Sequence, residues 1–215
     1  MGLADDRQYA PATERNREPI LAVLQRVLPP EGTVLEIASG TGEHAVFFAP
    51  RLHPRLWQPS DPNPIAHRSI AAWKDQYPAE NLQPPILLDV SQDVWPVETG
   101  EVTLVAPIRA IVNINMIHIS PWQTCLGLMA GAKRILPPEG ILYLYGPFKQ
   151  GGQHTAPSNE QFDEMLQSQN PEWGVRDLEE VIAVAAEQGL QWRETIAMPA
   201  NNLSVVWERV MGSGE

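Results

Sequence analysis

A single cysteine is all the sequence has, so no internal disulfide can staple the chain. Cys125 falls in the apolar run "WQTCLGLMAGAKRIL", where a thiol packs as a small hydrophobe rather than acting as a nucleophile. Positive charge is also scarce: 15 Lys and Arg stand against 26 Asp and Glu, a formal net charge of −11. Nucleic-acid binding draws on clustered cations, so neither nucleic acid nor an anionic membrane is an expected partner. No run reaches the roughly 20 apolar residues of a membrane span, and the start "MGLADDRQYAPATERN" lacks a cationic end followed by an apolar stretch. The opening Met-Gly resembles a myristoylation signal, but Asp6 stands where that signal needs Ser or Thr. These absences predict a cytoplasmic protein. His44, His53, His67 and His154 lie on separate elements with no cysteine or carboxylate pair beside them, so no metal site is expected.

What is present suffices for one α/β domain: 215 residues, 43% of them hydrophobic, with no internal repeat and no low-complexity tract. An acidic N-terminal segment leads into the helix "PILAVLQRVLPP", opened by Pro19 and closed by Pro29-Pro30, so that residues 1–30 form a cap segment and helix. "TVLEIA" reads as a strand and "GEHAVFFAPRL" as a helix, with Ala45, Phe48, Ala49 and Leu52 on one face. The alternation continues through a strand ending at Asp61, the helix "PIAHRSIAAWKDQY" and a strand ending at Asp89. "AIVNINMI" reads as a central strand, and Ser120 with Gln123 as the capping box of the next helix. After the strand "GILYLYGPF", a long polar connection from Lys149 to Trp173 reads as a lid insertion over 146–175, hinged at Gly151-Gly152. The helix "DLEEVIAVAAEQG", boxed by Asp177 and Glu180, precedes two closing strands that pair as a hairpin. The expected fold is doubly wound: a mainly parallel seven-stranded sheet with a C-terminal antiparallel hairpin, as one domain over 1–215.

Ligands of open α/β sheets bind beyond the carboxyl ends of the strands, where the strand order reverses. "LEIASGTGEHA" places Gly40 and Gly42 in such a turn, where the backbone closely approaches a ligand and helix amides point at it. Gly40-x-Gly42-x-x-Ala45 also fits a loose dinucleotide pattern. Carboxylate placement argues against that choice, because Glu36 before the turn and Asp61 and Asp89 at strand ends repel a pyrophosphate. They attract a ligand with a cationic tail, ribose hydroxyls and an adenine amine. Each acid also has a structural reading, as a cap or turn former.

The same residues resemble the nucleoside-binding half of the S-adenosylmethionine-dependent methyltransferases of the Rossmann-like class, whose first motif is an acid followed by three alternate glycines. Here Ala38 replaces the first of them. A more specific resemblance covers nearly the whole chain. "ERNREPIL", "NINMIHISPW", "LYGPFK", "PSNEQFDEMLQSQNPEWGVRDLE" and "MPANNL" look like one small family of methyltransferase-like proteins of unknown substrate.

The resemblance implies S-adenosylmethionine as cofactor, held by Glu36, Ala38, Gly40, Gly42, Asp61, Asp89, Asn115 and Asn16. It implies a small-molecule acceptor and leaves the oligomeric state open. Methyl transfer from a sulfonium needs positioning and, for some acceptors, a base. His118 and Asn115, after the fourth strand, are the catalytic candidates, although a histidine in an apolar run is also a common core group. Tyr9 and Arg15 in the N-terminal segment, and Phe148, Ser158, Asn159 and Trp173 in the insertion, are candidate lid or substrate contacts. Two rival functions remain. One is a non-catalytic S-adenosylmethionine-binding module that regulates or binds a partner, and the other a nicotinamide-dependent oxidoreductase.

Overall fold

The computed structural model describes residues 5–210. Two compact units make up the chain, one holding residues up to 89 together with 94–112, the other holding 90–93 and the residues from 113 onward. The first contains α1 (Pro11–Val27), β1 (Thr33–Ile37), α2 (Glu43–Arg51), β2 (Leu56–Asp61), α3 (Pro64–Gln76), the two-residue β3 (Ile86–Leu87), the short α4 (Pro96–Thr99) and most of β4 (Ile108–Ile114). The second continues with α5 (Trp122–Ile135), β5 (Ile141–Gly146), β6 (Phe148–Gln150), β7 (Gln153–His154), α6 (Pro157–Gln169) and β8 (Arg176–Asp177). It ends with α7 (Leu178–Glu187), β9 (Leu190–Met198) and β10 (Asn202–Arg209).

The sheet has seven strands in the order β3-β2-β1-β4-β5-β10-β9, with the reversal of chain order between β1 and β4. β1, β2 and β3 run parallel, and β10 is antiparallel to both β5 and β9, as alternating elements followed by a hairpin require. A second, three-stranded sheet has the order β7-β6-β8. Every residue of β1 is buried, Glu36 included. In the first unit Leu35, Phe48, Leu52, Trp57 and Ile70 are fully buried, with the Phe48 and Trp57 rings 5.5 Å apart. Each such side chain contributes about 1.5–3 kcal/mol on leaving water. The second unit packs Tyr143, Phe148, Val181, Leu190, Val205 and Trp207 in the same way.

Several boundaries differ from the sequence reading. α1 begins at Pro11 and runs through Pro19, so Arg15 and Asn16 lie on a helix rather than in a loose segment. Its buried stripe starts with two polar residues, Thr13 and Asn16, before Ile20, Val23 and Leu24, and apolar periodicity does not register such a start. β3 stops at Leu87, leaving Asp89 exposed two residues beyond the strand. β4 ends at Ile114 because Asn115 turns into the left-handed region at φ 59°. α5 is capped by Pro121 without a side-chain bond; the Ser120 hydroxyl instead donates to the Met116 carbonyl at 3.0 Å. Asp177 does cap α7, accepting from the Glu179 amide.

The largest difference is the polar connection, which is folded. β6, β7 and the 13-residue α6 occupy it, and α6 buries Asn159, Asp163 and Leu166. Gly151 and Gly152 are no free hinge: their amides donate to Glu179 Oε2 at 3.0 Å and Asp177 Oδ2 at 2.6 Å.

Gly42 has φ 90°, and a Cβ there would lie 2.7 Å from the Ile70 Cα. Gly42→Ala is therefore expected to cost about 2 kcal/mol, from left-handed strain and the displacement of α3, read as a lowered urea midpoint.

Candidate functional site

The first unit builds its site on the turn between β1 and α2. Ala38, Gly40 and Gly42 all have positive φ, so the backbone winds back on itself at alternate residues. The Ser39 amide donates to the Ser60 carbonyl at 2.8 Å, and the Ser60 hydroxyl donates to the Glu36 carbonyl at 2.7 Å, stitching the turn to β2. Asp61 ends β2 with 7% of its surface exposed. Its Oδ2 accepts from the Gly40 amide at 3.0 Å and its Oδ1 from the Asn63 amide at 2.8 Å. A carboxylate has about four acceptor positions, so two remain on Asp61 for a ligand. Gly40 faces open space, since nothing lies within 4 Å of where its Cβ would be.

Glu36 lies deeper. It is 2% exposed, and its Oε2 accepts from the Trp57 indole N–H at 3.0 Å. Burial is the main cause that pushes its carboxyl up to about 7, with Asp61 adding to the rise and hydrogen bonds from Trp57 and Ser39 opposing it. Trp57 gave no sign of this role in the sequence beyond its place on the neighbouring strand.

Residues before α1 strap this turn. The Ala10 amide donates to Glu43 Oε2 at 2.5 Å, the Gln8 amide to Ser69 Oγ at 2.8 Å, and the Trp73 indole N–H to the Gln8 carbonyl at 2.9 Å. Ser69 in turn donates to the Thr41 carbonyl at 2.7 Å, within the glycine turn. Tyr9 packs edge-on against Trp73, with centroids 5.1 Å apart. Asn16 Oδ1 lies 2.8 Å from His44 Nε2, so in this amide orientation the imidazole is the donor. Burial, with Arg17 nearby, lowers His44 to about 4 and keeps it neutral. The turn thus gathers Glu36, Ala38, Gly40, Gly42 and Asp61, with Asn16 bonded to His44 of α2. Arg15 and Asp89 are exposed, and Tyr9 belongs to the strap.

A second group of candidates sits in the second unit. Asn115 is half-buried, and its amide donates to the Tyr145 carbonyl at 2.8 Å. A Cβ on Gly146 would lie 3.2 Å from His118 Nδ1 and 3.6 Å from Asn115 Oδ1, so both side chains reach the same spot against β5. His118 is 3% exposed, its Nδ1 has no partner, and burial, followed by Arg176, lowers it to about 4. The segment around it is anchored by groups the sequence did not mark. Gly174 N donates to the His118 carbonyl at 3.0 Å, and Arg176 donates to the carbonyls of Ile117 and Ser120 at 3.0 and 2.6 Å. Phe162 packs edge-on against the His118 ring at 5.6 Å.

Asp163 organises the insertion. Its Oδ1 accepts from the Val175 amide at 2.7 Å, while its Oδ2 meets Lys149 Nζ at 2.8 Å and His154 Nε2 at 3.2 Å. Asn159 is committed, donating to Thr155 Oγ1 at 3.1 Å and the Asn201 carbonyl at 2.9 Å. Ser158 is exposed and accepts from Asn201 at 3.2 Å, Trp173 is half-buried, and Phe148 is fully buried in the core. Among the described residues no group of three His, Cys, Asp or Glu is placed to hold a metal ion, and no helix is long and apolar enough to cross a membrane.

Solved structures share this fold at low identity. The S-adenosylmethionine-dependent methyltransferase SibL, in its apo form, superposes with a TM-score of 0.72 at 17% identity, over 93% of this chain and 56% of its own. An O-methyltransferase family protein from Burkholderia thailandensis gives 0.74 at 14%, over 94% and 58%. Human N-acetylserotonin methyltransferase, in complex with SAM, gives 0.73 at 13%, over 93% and 53%. The chain therefore has a methyltransferase fold and spans little more than half the length of these proteins. Matched over residues 7–209, it belongs to the family DUF938, described as a protein of unknown function.

Proposed function

We propose that the protein is an S-adenosylmethionine-dependent methyltransferase acting on a small molecule. One observation carries this reading: Asp61 is clamped to the Gly40 amide beside open space, with acceptor positions left over. Those positions suit two ribose hydroxyls and repel a pyrophosphate, while backbone at Ala38 and Gly40 offers close approach without side-chain obstruction. The residues present thus fit the nucleoside, and Asp61, Gly40 and Ala38 would hold it. When bound, S-adenosylmethionine supplies an electrophilic methyl group. Glu36 and Trp57 act from beneath, fixing β1 to β2 under the turn. In the second unit we assign Asn115 as a candidate polar contact to the acceptor, at a left-handed φ of 59° that asparagine adopts more readily than other side chains. His118, neutral and buried, approaches the same spot against β5 as Asn115.

Calorimetry with S-adenosylhomocysteine and with NAD tests the assignment. The nucleoside should bind in the micromolar range and NAD should not; the reverse result refutes the reading. Asp61→Asn keeps an oxygen for Gly40 but loses the charge and turns an NH2 toward the Asn63 amide, and should weaken S-adenosylhomocysteine at least about tenfold, the equivalent of one charge-assisted hydrogen bond. The burial of His118 favours one rival, a module that binds without turnover. Conversion of S-adenosylmethionine in the presence of a panel of phenols, amines and thiols separates the two.

A further inference from the structure

The outer face of α2 carries a groove of about 680 Å3 that the proposed methyl transfer does not use. Its floor is the stripe Glu43, Val46, Phe47, Pro50 and Arg51, spaced i, i+3, i+4, i+7 and i+8 on the helix. The core-facing stripe is Ala45, Phe48, Ala49 and Leu52, and Phe47 borders both, 6% exposed and with its ring 5.6 Å from that of Phe48. Arg17 of α1 and Trp73, Gln76 and Tyr77 of α3 form the walls. The volume lies in the range of small-molecule sites, and the lining has their character: aromatic surface with a few polar groups.

Two cations stand over one ring there. The Arg51 guanidinium carbon is 3.9 Å and that of Arg17 4.7 Å from the Phe47 centroid. Arg51 donates to the Phe47 carbonyl at 2.9 Å, and Arg17 Nε is buried without a partner. Neither has a carboxylate partner among the described residues, in a chain where acids outnumber bases. The other guanidinium near this aromatic cluster, Arg7, is already paired with Asp5 at 2.6 Å. Of the acids at the groove, Glu43 is occupied by Ala10 and Thr41, and Glu18 is exposed. Both guanidiniums line the groove without a carboxylate against them, and an anion bound in it would give them one. Tyr77, 53% exposed and stacked on the buried Trp73 with centroids 5.6 Å apart, offers an aromatic surface at the groove.

We propose that this groove is a second ligand site, for a small planar aromatic carboxylate whose acid group meets Arg17 and Arg51 and whose ring lies against Tyr77. The site lies wholly within the first unit. The groove shares Glu43 and Trp73 with the strap over the glycine turn, but the proposal does not rest on the methyl-transfer reading.

The test titrates 2-naphthoate into the full-length protein and follows the Trp73 indole N–H and the Arg17 and Arg51 Nε–H signals by NMR, with 2-naphthylmethanol as the neutral probe. Naphthoate should shift these signals to saturation, and the alcohol should bind about fivefold or more weakly, the scale of a partly exposed charge-assisted contact. Arg51→Gln and, separately, Arg17→Gln should each weaken naphthoate about fivefold while leaving S-adenosylhomocysteine affinity, measured by calorimetry on the same samples, unchanged. Equal binding of acid and alcohol would mean that the groove reads only apolar surface, and overturns the proposal. So would the absence of saturation, or competition between naphthoate and S-adenosylhomocysteine, which would place the response at the nucleoside site. The comparison of the two probes on the wild-type protein stands even if one variant folds poorly.

Discussion

Glu36→Gln is expected to stabilise the protein at pH 8 and to leave its stability at pH 4.5 nearly unchanged. Burial raises the Glu36 carboxyl from an ordinary 4.5 to about 7. Between these values the folded chain holds a proton that the unfolded chain has released, so folding stability falls as pH rises across that window. Above about 7 the loss is complete, and a shift of this size corresponds to roughly 3 kcal/mol. Glutamine occupies the same volume, never ionises, and keeps an oxygen for the Trp57 indole N–H, so the variant lacks this slope. Urea denaturation from pH 4.5 to 8 measures it. Parallel stability curves for the two proteins would mean that Glu36 is solvated in solution and that its seat beneath the turn is not dry.

Asp163→Ala should have an effect of similar size in the opposite direction. The carboxylate is buried and is shared by Lys149, His154, Gln167 and the Val175 amide, drawing β6, β7, α6 and the approach to β8 onto one side chain. Burial pushes this acid up, but the bonds from Lys149 and Val175 outweigh it and hold the group below the usual carboxylate range. Its contribution is therefore present above the unfolded value of 3.8 and is lost as pH falls through the lower folded one. Removing one partner of a buried pair costs about 3–5 kcal/mol, or roughly 6–20 °C in melting temperature for a chain of this size. Thermal melts at pH 7 and pH 3 check both the size and the sign: the gap between wild type and variant should narrow at pH 3. An unchanged melting temperature at pH 7 would show that the insertion is held by other contacts.

The two predictions mark where the sequence was legible and where it was not. Strand, turn and helix around Val34 to Ala45 could be read directly, because glycines at positive φ and a buried apolar run are local requirements. Asp61 was identifiable as a strand-end acid for the same reason. The apolar run before Asp89 does not reveal where pairing stops, and in the structure it stops at Leu87. The helix within the polar connection from Lys149 to Trp173 is not legible because α6 buries polar side chains, Asn159 and Asp163, and apolar periodicity is blind to a helix held by hydrogen bonds. Asn16 and Thr13 hid the first turns of α1 in the same way.

By itself, then, the sequence determined the alternation of elements, the terminal hairpin and the glycine turn with its neighbouring acids, since each follows from local backbone preference and the spacing of apolar residues. Only the tertiary structure decided that Glu36 accepts from Trp57, that Asn16 answers to His44, that His118 is buried against β5 at Gly146, and that Arg17 and Arg51 share the ring of Phe47. These pairs join residues on different elements, and their burial and charge depend on the distance left when those elements pack, which local preference does not encode.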